Sequence, residues 1–265
     1  MTSSLPDPRP RTELDAVIVG AGFSGLYALH RLRGLGLRVG VLEAGSGLGG
    51  TWFWNRYPGA RCDVESMEYS FKFDDGLQQE WVWSERYSTQ PEILRYLEHV
   101  ADRFDLRRDI SFGTRVTEAR FDEGAARWNV RTDRGDGLSA RFCVMATGCL
   151  SSANTPGFPG LESFGGRVLH TGRWPHEPVD FGGRRVGIVG TGSSAIQAIP
   201  VVAGQARHLF VFQRTPNFSV PAQNAPLKAA VQAAIKASYG DLRRAVLQMP
   251  FGFDTRPNEK SALEV

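Results

Sequence analysis

The sequence predicts an α/β fold of parallel βαβ units, and three observations carry that expectation. Two short apolar, strand-like segments, residues 15–19 and 185–189, each run straight into a glycine-rich turn. Each turn opens a segment of helical periodicity, residues 23–32 and 193–202. A second apolar strand then closes each unit, at residues 38–42 and 209–213. A βαβ unit is the smallest piece of a doubly wound parallel sheet, so two Rossmann-like domains are expected, the second incomplete.

Composition sets outer limits. The chain has 265 residues, room for one large or two modest α/β domains. It is 42% hydrophobic and 22% charged, as soluble globular proteins are. The net charge is +3 and no dense Lys/Arg run occurs, which argues against nucleic-acid binding. Arg outnumbers Lys, a supply of planar forks for phosphates or simply a habit of codon usage. Cys62, Cys143 and Cys149 form no C-x-x-C pair, which argues against a redox dithiol or a zinc ribbon. Their odd number fits a reducing compartment, so a cytoplasmic location is expected. The polar, Pro-containing residues 1–13 read as a disordered leader without the apolar core of a secretory signal. No apolar run approaches the roughly 18 residues of a membrane span.

The elements follow in order. Leu26, Leu29 and His30 give residues 23–32 their helical spacing. Residues 44–87 are irregular and aromatic-rich, with Trp52, Trp54, Tyr57, Tyr69, Phe71, Phe73, Trp81 and Trp83. This stretch is either a ligand-facing segment or an aromatic core. Thr89-Gln90-Pro91-Glu92 has the capping-box pattern and opens a helix with the stripe Ile93, Leu97, Val100, Phe104. Strand-like residues 110–112, 116–121 and 128–132 suggest a small antiparallel excursion. Residues 142–146 form another buried strand, ending in Thr147-Gly148. The chain then divides into a first nucleotide domain (14–150), a connector (151–184), the start of a second domain (185–220) and a truncated helical insertion (221–265).

The two glycine turns carry the chemistry. Gly20-Ala21-Gly22-Phe23-Ser24-Gly25 matches G-x-G-x-x-G between a strand and a helix. Such glycines permit the tight turn, the close approach of backbone to pyrophosphate and the packing of helix on strand. The helix N-terminus supplies N–H groups and positive potential for phosphates. Glu43 ends the following strand, where an acid binds ribose hydroxyls and repels a 2′-phosphate. The first site therefore suits the ADP half of FAD, or NAD. The second turn, Gly190-Thr191-Gly192-Ser193-Ser194-Ala195, is the G-x-G-x-x-A variant. Its strand ends in Gln213-Arg214-Thr215, without an acid, and an Arg there pairs with a phosphate dianion. The second site suits NADP. One resident flavin and one visiting nicotinamide are the expected pair.

Between the two units lies Phe164-Gly165-Gly166-Arg167-Val168-Leu169-His170-Thr171-Gly172-Arg173-Trp174-Pro175, which reads F-x-G-x-x-x-H-x-x-x-W-P. It resembles the fingerprint of Baeyer–Villiger monooxygenases. The runs Gly49-Gly50-Thr51-Trp52, Asn55 to Asp63, Ala146-Thr147-Gly148 and Phe212 to Pro216 are similar to that family too, and most similar to its phenylacetone monooxygenase type. The resemblance implies that Gly20, Gly22, Ser24, Gly25 and Glu43 hold the ADP part of FAD. It implies that Thr51, Trp52, Phe53 and Trp54 lie along the flavin, with Asp63 and Tyr69 nearby, and that Val116 meets the adenine through its backbone. It further implies that Arg61, Cys62 and Asp63 face the nicotinamide side, and that Gly190, Thr191, Gly192, Ser193, Ser194, Ala195, Ile196, Gln213, Arg214 and Thr215 bind NADPH.

The implied reaction inserts one oxygen of O2 beside a ketone carbonyl through a peroxyflavin, giving an ester or lactone. In the family an arginine supplies positive charge to the oxygenating group, and the aspartate matching Asp63 orients it. As a helix cap or loop anchor, Asp63 has a purely structural alternative. His170 either couples dinucleotide binding to domain motion or makes structural hydrogen bonds, and Trp174 reads as packing.

Family members are about twice this length, so the chain is expected to be an incomplete enzyme. Its catalytic arginine is expected beyond residue 265, in a missing C-terminal half, and the second sheet is expected to expose apolar edges. Cys149 stands where the resemblance implies a polar amide near the flavin or substrate. An N- or S-oxygenating flavin monooxygenase and a non-catalytic nucleotide-binding remnant are the alternatives. A disulfide reductase is disfavoured by the absent redox pair.

Overall fold

The computed structural model describes residues 12–150, 152–250 and 252–253. Six strands form the main sheet: β1 (Thr12–Val19), β2 (Val39–Leu42), β3 (Ile110–Ser111), β4 (Val116–Asp122), β5 (Arg127–Thr132) and β6 (Gly137–Met145). Their order is β3-β2-β1-β6-β5-β4. β1 lies at the centre, parallel to both β2 and β6. Its Ala16, Val17 and Ile18 are fully buried, as the continuous apolar run of a doubly covered parallel strand requires. Helix α1 (Phe23–Gly34) covers one face with Leu26 and Leu29. Short helices α2 (Thr51–Trp54) and α3 (Asp75–Glu80) lead to α4 (Gln90–Arg103), which buries Ile93, Tyr96, Leu97 and Val100.

Several expectations need correction. The 110–112 segment does not belong to the antiparallel excursion. β3 runs parallel beside β2, because the Glu43 N–H donates to the Ser111 carbonyl at 3.0 Å and draws the chain onto that edge. The antiparallel part is β4-β5-β6, and β6 joins it directly to β1. The capping box does not form. Thr89 is the N-cap residue of α4 without a side-chain cap bond. The Glu92 carboxylate instead accepts from the Ser84 N–H and hydroxyl, both at 2.8 Å, because burial favours the partners that packing supplies. Of the expected leader, residues 1–11 lie outside the described residues, while Thr12 and Glu13 pair with Leu138 and Ser139 in the sheet.

Much of the aromatic stretch is core. Trp52, Phe71 and Trp83 are buried, and Phe23 meets Tyr69 edge-on at 4.9 Å. Trp81 packs against Tyr96 at 5.2 Å.

The second unit holds β7 (Arg185–Val189), α5 (Ser193–Ala203) and β8 (His208–Phe212), with the two strands parallel. Its apolar strand residues are open: Val189 is 65% and Phe212 57% exposed. Beyond it, residues 224–227 are extended rather than helical, and they dock on the first unit. Arg86 N–H donates to the Ala225 carbonyl at 3.1 Å, and Leu227 N–H to the Ser84 carbonyl at 2.9 Å. Helices α6 (Ala229–Ala237) and α7 (Tyr239–Leu247) follow. Gln232 satisfies the Trp83 backbone, accepting from its N–H at 3.1 Å and donating to its carbonyl at 2.8 Å. Arg243 donates to the Glu68 carbonyl at 2.9 Å and the Ser70 hydroxyl at 2.7 Å. The described part of the stretch expected as a helical insertion packs on the first core, where Ile235, Tyr239 and Leu242 bury apolar surface that the helices alone cannot hide.

Candidate dinucleotide-binding site

The first glycine loop is assembled by close backbone packing. Gly20 has φ of +104°, and a Cβ there would lie 2.5 Å from the Ala146 carbonyl oxygen. A Cβ on Gly25 would fall 1.9 Å from the Gly20 carbonyl oxygen, so helix and strand meet only because both residues are bare. Gly22 is the N-cap of α1, with no side-chain cap and no acid in the first turn. The first N–H groups of α1 are therefore without a side-chain acceptor, the condition for holding an anion. Ser24 is exposed beside them. Gly50 packs against Gly22 across this opening: a Cβ on Gly50 would reach 3.0 Å from the Gly22 Cα.

Glu43 is buried at the end of β2. Its carboxylate accepts from the Ala21 N–H of the glycine loop and from the Gly45 N–H, each at 2.7 Å. The acid and the loop are thus one hydrogen-bonded unit. Thr51, partly buried, begins α2; Trp52 and Phe53 are buried and Trp54 is open. Trp52 Nε1 donates to the Tyr69 hydroxyl at 3.1 Å, and burial pushes that phenol up to about 12. Val116 starts β4 and packs on the cluster of Val17, Leu42, Val130 and Ala140. Cys62 lies in the core, where burial pushes its thiol up to about 11, so it is a neutral packing group. Cys149 is exposed after the Thr147-Gly148 turn.

The second loop is open. Gly190 has φ of +99°, and a Cβ at Gly190 or Gly192 would meet nothing within 4 Å. Gly192 caps α5, again without a side-chain cap or a first-turn acid. Ser193 and Ile196 are exposed, and Ser194 and Ala195 are partly buried. Gln213 Nε2 donates to the Thr191 hydroxyl at 2.8 Å, tying the end of β8 to the loop. Arg214 and Thr215 are exposed beside this tie.

Helix α5 of the second unit meets the first unit through residues 57–63. Gln197, on α5, accepts from the Tyr57 hydroxyl at 2.9 Å and the Arg61 N–H at 3.2 Å. It donates to the Asp63 carboxylate at 2.8 Å and the Arg61 carbonyl at 3.1 Å. Arg61 also pairs with Glu85 at 3.1 Å. Tyr57, Ala60 and Ala198 bury one another, with Trp174 packed on them. Trp174 is therefore packing. His170 makes hydrogen bonds inside the connector: it accepts from the Gly172 N–H and donates to the Asn154 carbonyl, both at 3.1 Å. Sequence reasoning stopped at Ile196 and missed Gln197, whose partners lie more than 130 residues away and leave no local signal.

Two helix N-termini without side-chain caps, one beside a buried acid at the end of β2 and the other near an exposed arginine just past β8, make a paired Rossmann-type arrangement. The chain belongs to the pyridine nucleotide-disulphide oxidoreductase family, whose profile matches residues 17–252. Over most of its length it is similar to Baeyer–Villiger monooxygenases. It is 47% identical to a Baeyer–Villiger monooxygenase of Pseudooceanicola batsensis, over 91% of this chain and 45% of that protein. It is 44% identical to the phenazine N-monooxygenase PhzNO1 of Lysobacter antibioticus, over 86% of this chain and 42% of that protein. The structure of an oxidized steroid monooxygenase bound to NADP superposes with a TM-score of 0.90 at 62% identity, covering 96% of this chain and 49% of that one. The chain spans about half the length of the relatives it matches.

Proposed function

We propose that this chain is the dinucleotide-binding part of an FAD- and NADPH-dependent Baeyer–Villiger monooxygenase acting on a ketone with O2. The observation that carries the reading is the opposite chemistry at the two loops, Glu43 on the first and Arg214 on the second. The bare α1 N-terminus fits a pyrophosphate, and the open glycines of the second loop leave room for another. The likeness to the Pseudooceanicola enzyme and the NADP-bound steroid monooxygenase supports the reaction class.

In this reading Gly20, Gly22, Ser24 and Gly25 hold the pyrophosphate of FAD and Glu43 takes ribose hydroxyls. Thr51, Trp52, Phe53 and Trp54 line the flavin, with Tyr69 behind Trp52 and Val116 near the adenine. Residues 190–196 cradle the NADPH pyrophosphate, and Gln213, Arg214 and Thr215 take its 2′-phosphate. Bound together, the cofactors supply the hydride and oxygen chemistry. The chain's own residues bind, orient and exclude water. Asp63 presents a carboxylate held in place by Gln197, while the neighbouring Cys62 and Tyr69 stay protonated at neutral pH and add no competing charge. We take the chain to work in the cytoplasm, which its three free cysteines suit. No helix among the described residues is long and apolar enough to cross a membrane.

The phenazine N-monooxygenase supports a second reading, oxygenation of a ring nitrogen. The purified chain is reconstituted with FAD and NADPH is added: retained flavin that bleaches supports the dinucleotide-binding reading, and a chain that retains no flavin overturns it. When the chain is completed with the C-terminal half of either relative and given NADPH, air and an aryl ketone or an N-heterocycle, an ester supports the first reaction and an N-oxide the second.

A further inference from the structure

Resting on that reading, we propose that Gln197 is a positioning residue that couples occupation of the second glycine loop to the placement of Asp63. Gln197 stands one helical turn beyond Ser193, the first residue of α5 after the Gly190–Gly192 turn. A side-chain amide has two acceptor sites and two donor hydrogens. All four are used, and every partner lies in residues 57–63: Tyr57 hydroxyl, Arg61 N–H, Arg61 carbonyl and Asp63 carboxylate. Ser194, on the same helix, also hydrogen-bonds the Tyr57 side chain, but Gln197 is the α5 residue whose side chain reaches Asp63.

Packing leaves the helix little freedom to slip. A Cβ on Gly59 would lie 2.2 Å from the Gln197 carbonyl oxygen, so the loop backbone rests directly on the α5 backbone. Ala198 buries against Tyr57 and Ala60 one residue on. A dinucleotide that draws on the α5 N-terminus therefore acts on a helix whose next turn grips the loop carrying Asp63. Any shift or stiffening of α5 reaches Asp63 through one amide, and by linkage the loop acts back on dinucleotide affinity to the same extent. The exposed Asp63 carboxylate has Gln197 as its hydrogen-bonding partner, so that contact sets where it points.

The test is amide hydrogen exchange across residues 57–63 of the full FAD-reconstituted chain, with and without NADP+, in wild type, Q197L and Q197E. In wild type, NADP+ is expected to slow exchange of this loop about fivefold or more, the low end of couplings between linked sites. Q197L removes all four hydrogen bonds. It should still bind NADP+ but lose the NADP+-dependent slowing. Q197E keeps the acceptors for Tyr57 and the Arg61 N–H but sets a carboxylate against Asp63. It should retain the slowing at Arg61 while weakening NADP+ binding several-fold, and D63N should restore that affinity. This rescue is a readout that loss of packing alone would not produce, and Q197E carries the test if Q197L fails to fold. Slowing that persists in Q197L, or a Q197E defect that D63N leaves untouched, overturns the proposal. A wild-type chain that binds no NADP+ overturns the functional reading instead, and the proposal with it.

Discussion

Gly20 and Gly190 share a left-handed backbone, φ of +104° and +99°, yet a Cβ at the first would sit 2.5 Å from the Ala146 carbonyl oxygen and at the second would touch nothing within 4 Å. The same contrast runs through both loops. The first stands on the central strand of six, with its acid hydrogen-bonded back into the turn. The second stands on two strands whose Val189 and Phe212 remain open. One motif therefore serves two conditions. In the first loop the glycines are demanded by neighbouring protein atoms. In the second, no neighbouring atom among the described residues demands Gly192, and only the backbone angle demands Gly190.

The two loops should differ most in their tolerance of a methyl group on glycine. Gly25→Ala drives a Cβ into the Gly20 carbonyl and should destabilise the chain by about 3 kcal/mol, the upper end of overpacking costs. Gly192→Ala, at φ of −72° with open space around it, should change stability by less than about 1 kcal/mol. Urea unfolding of both variants measures the difference, and equal losses would erase the distinction.

The acid and the arginine differ in the same sense, one buried in the fold and the other open to solvent. Glu43→Gln removes charge from two buried hydrogen bonds and should cost about 1.5–3 kcal/mol in the same assay. Arg214→Ala, on an exposed side chain, should alter stability by no more than about 0.5 kcal/mol. It should weaken NADP+ binding about tenfold or more and leave NAD+ binding unchanged, as calorimetric titration would show.

An alkaline titration gives a smaller effect, confined to the first unit. The Cys62 thiol is raised by burial from 9.0 to about 11. Its folded value lies above its unfolded one, so its contribution is complete below pH 9 and is lost as pH rises towards 11. Cys62→Ala should flatten that part of the stability profile relative to wild type. The smallest effect concerns modification at neutral pH. A thiol reagent should label exposed Cys149 quickly and leave Cys62 unlabelled until the chain unfolds, with no change in melting temperature.

Local pattern revealed some elements and hid others for physical reasons. β1, α1, β7 and α5 were legible because each joins a strand or helix period to a glycine turn. The capping box at Thr89 was misleading: Glu92 has the right spacing, but Ser84 offers its carboxylate a better-enclosed partner. The docking of α6 and α7 was invisible, since the Ala-rich run from residue 229 names no partner, and Gln232 finds Trp83 149 residues away. The residues proposed at the two loops are positions of short motifs, whereas the grip of α5 on residues 57–63 leaves no local pattern.

Turn chemistry and periodicity act over a few residues, so the two βαβ units, the acid and arginine that distinguish them, and the connector between them are written in local sequence. Tertiary structure alone decided that β3 edges the parallel sheet, that residues 224–227 strap the first unit, and that Gln197 grips residues 57–63. Those outcomes depend on which buried polar groups find partners once the core has closed. That competition is settled by distance in space, and no spacing along the chain records it.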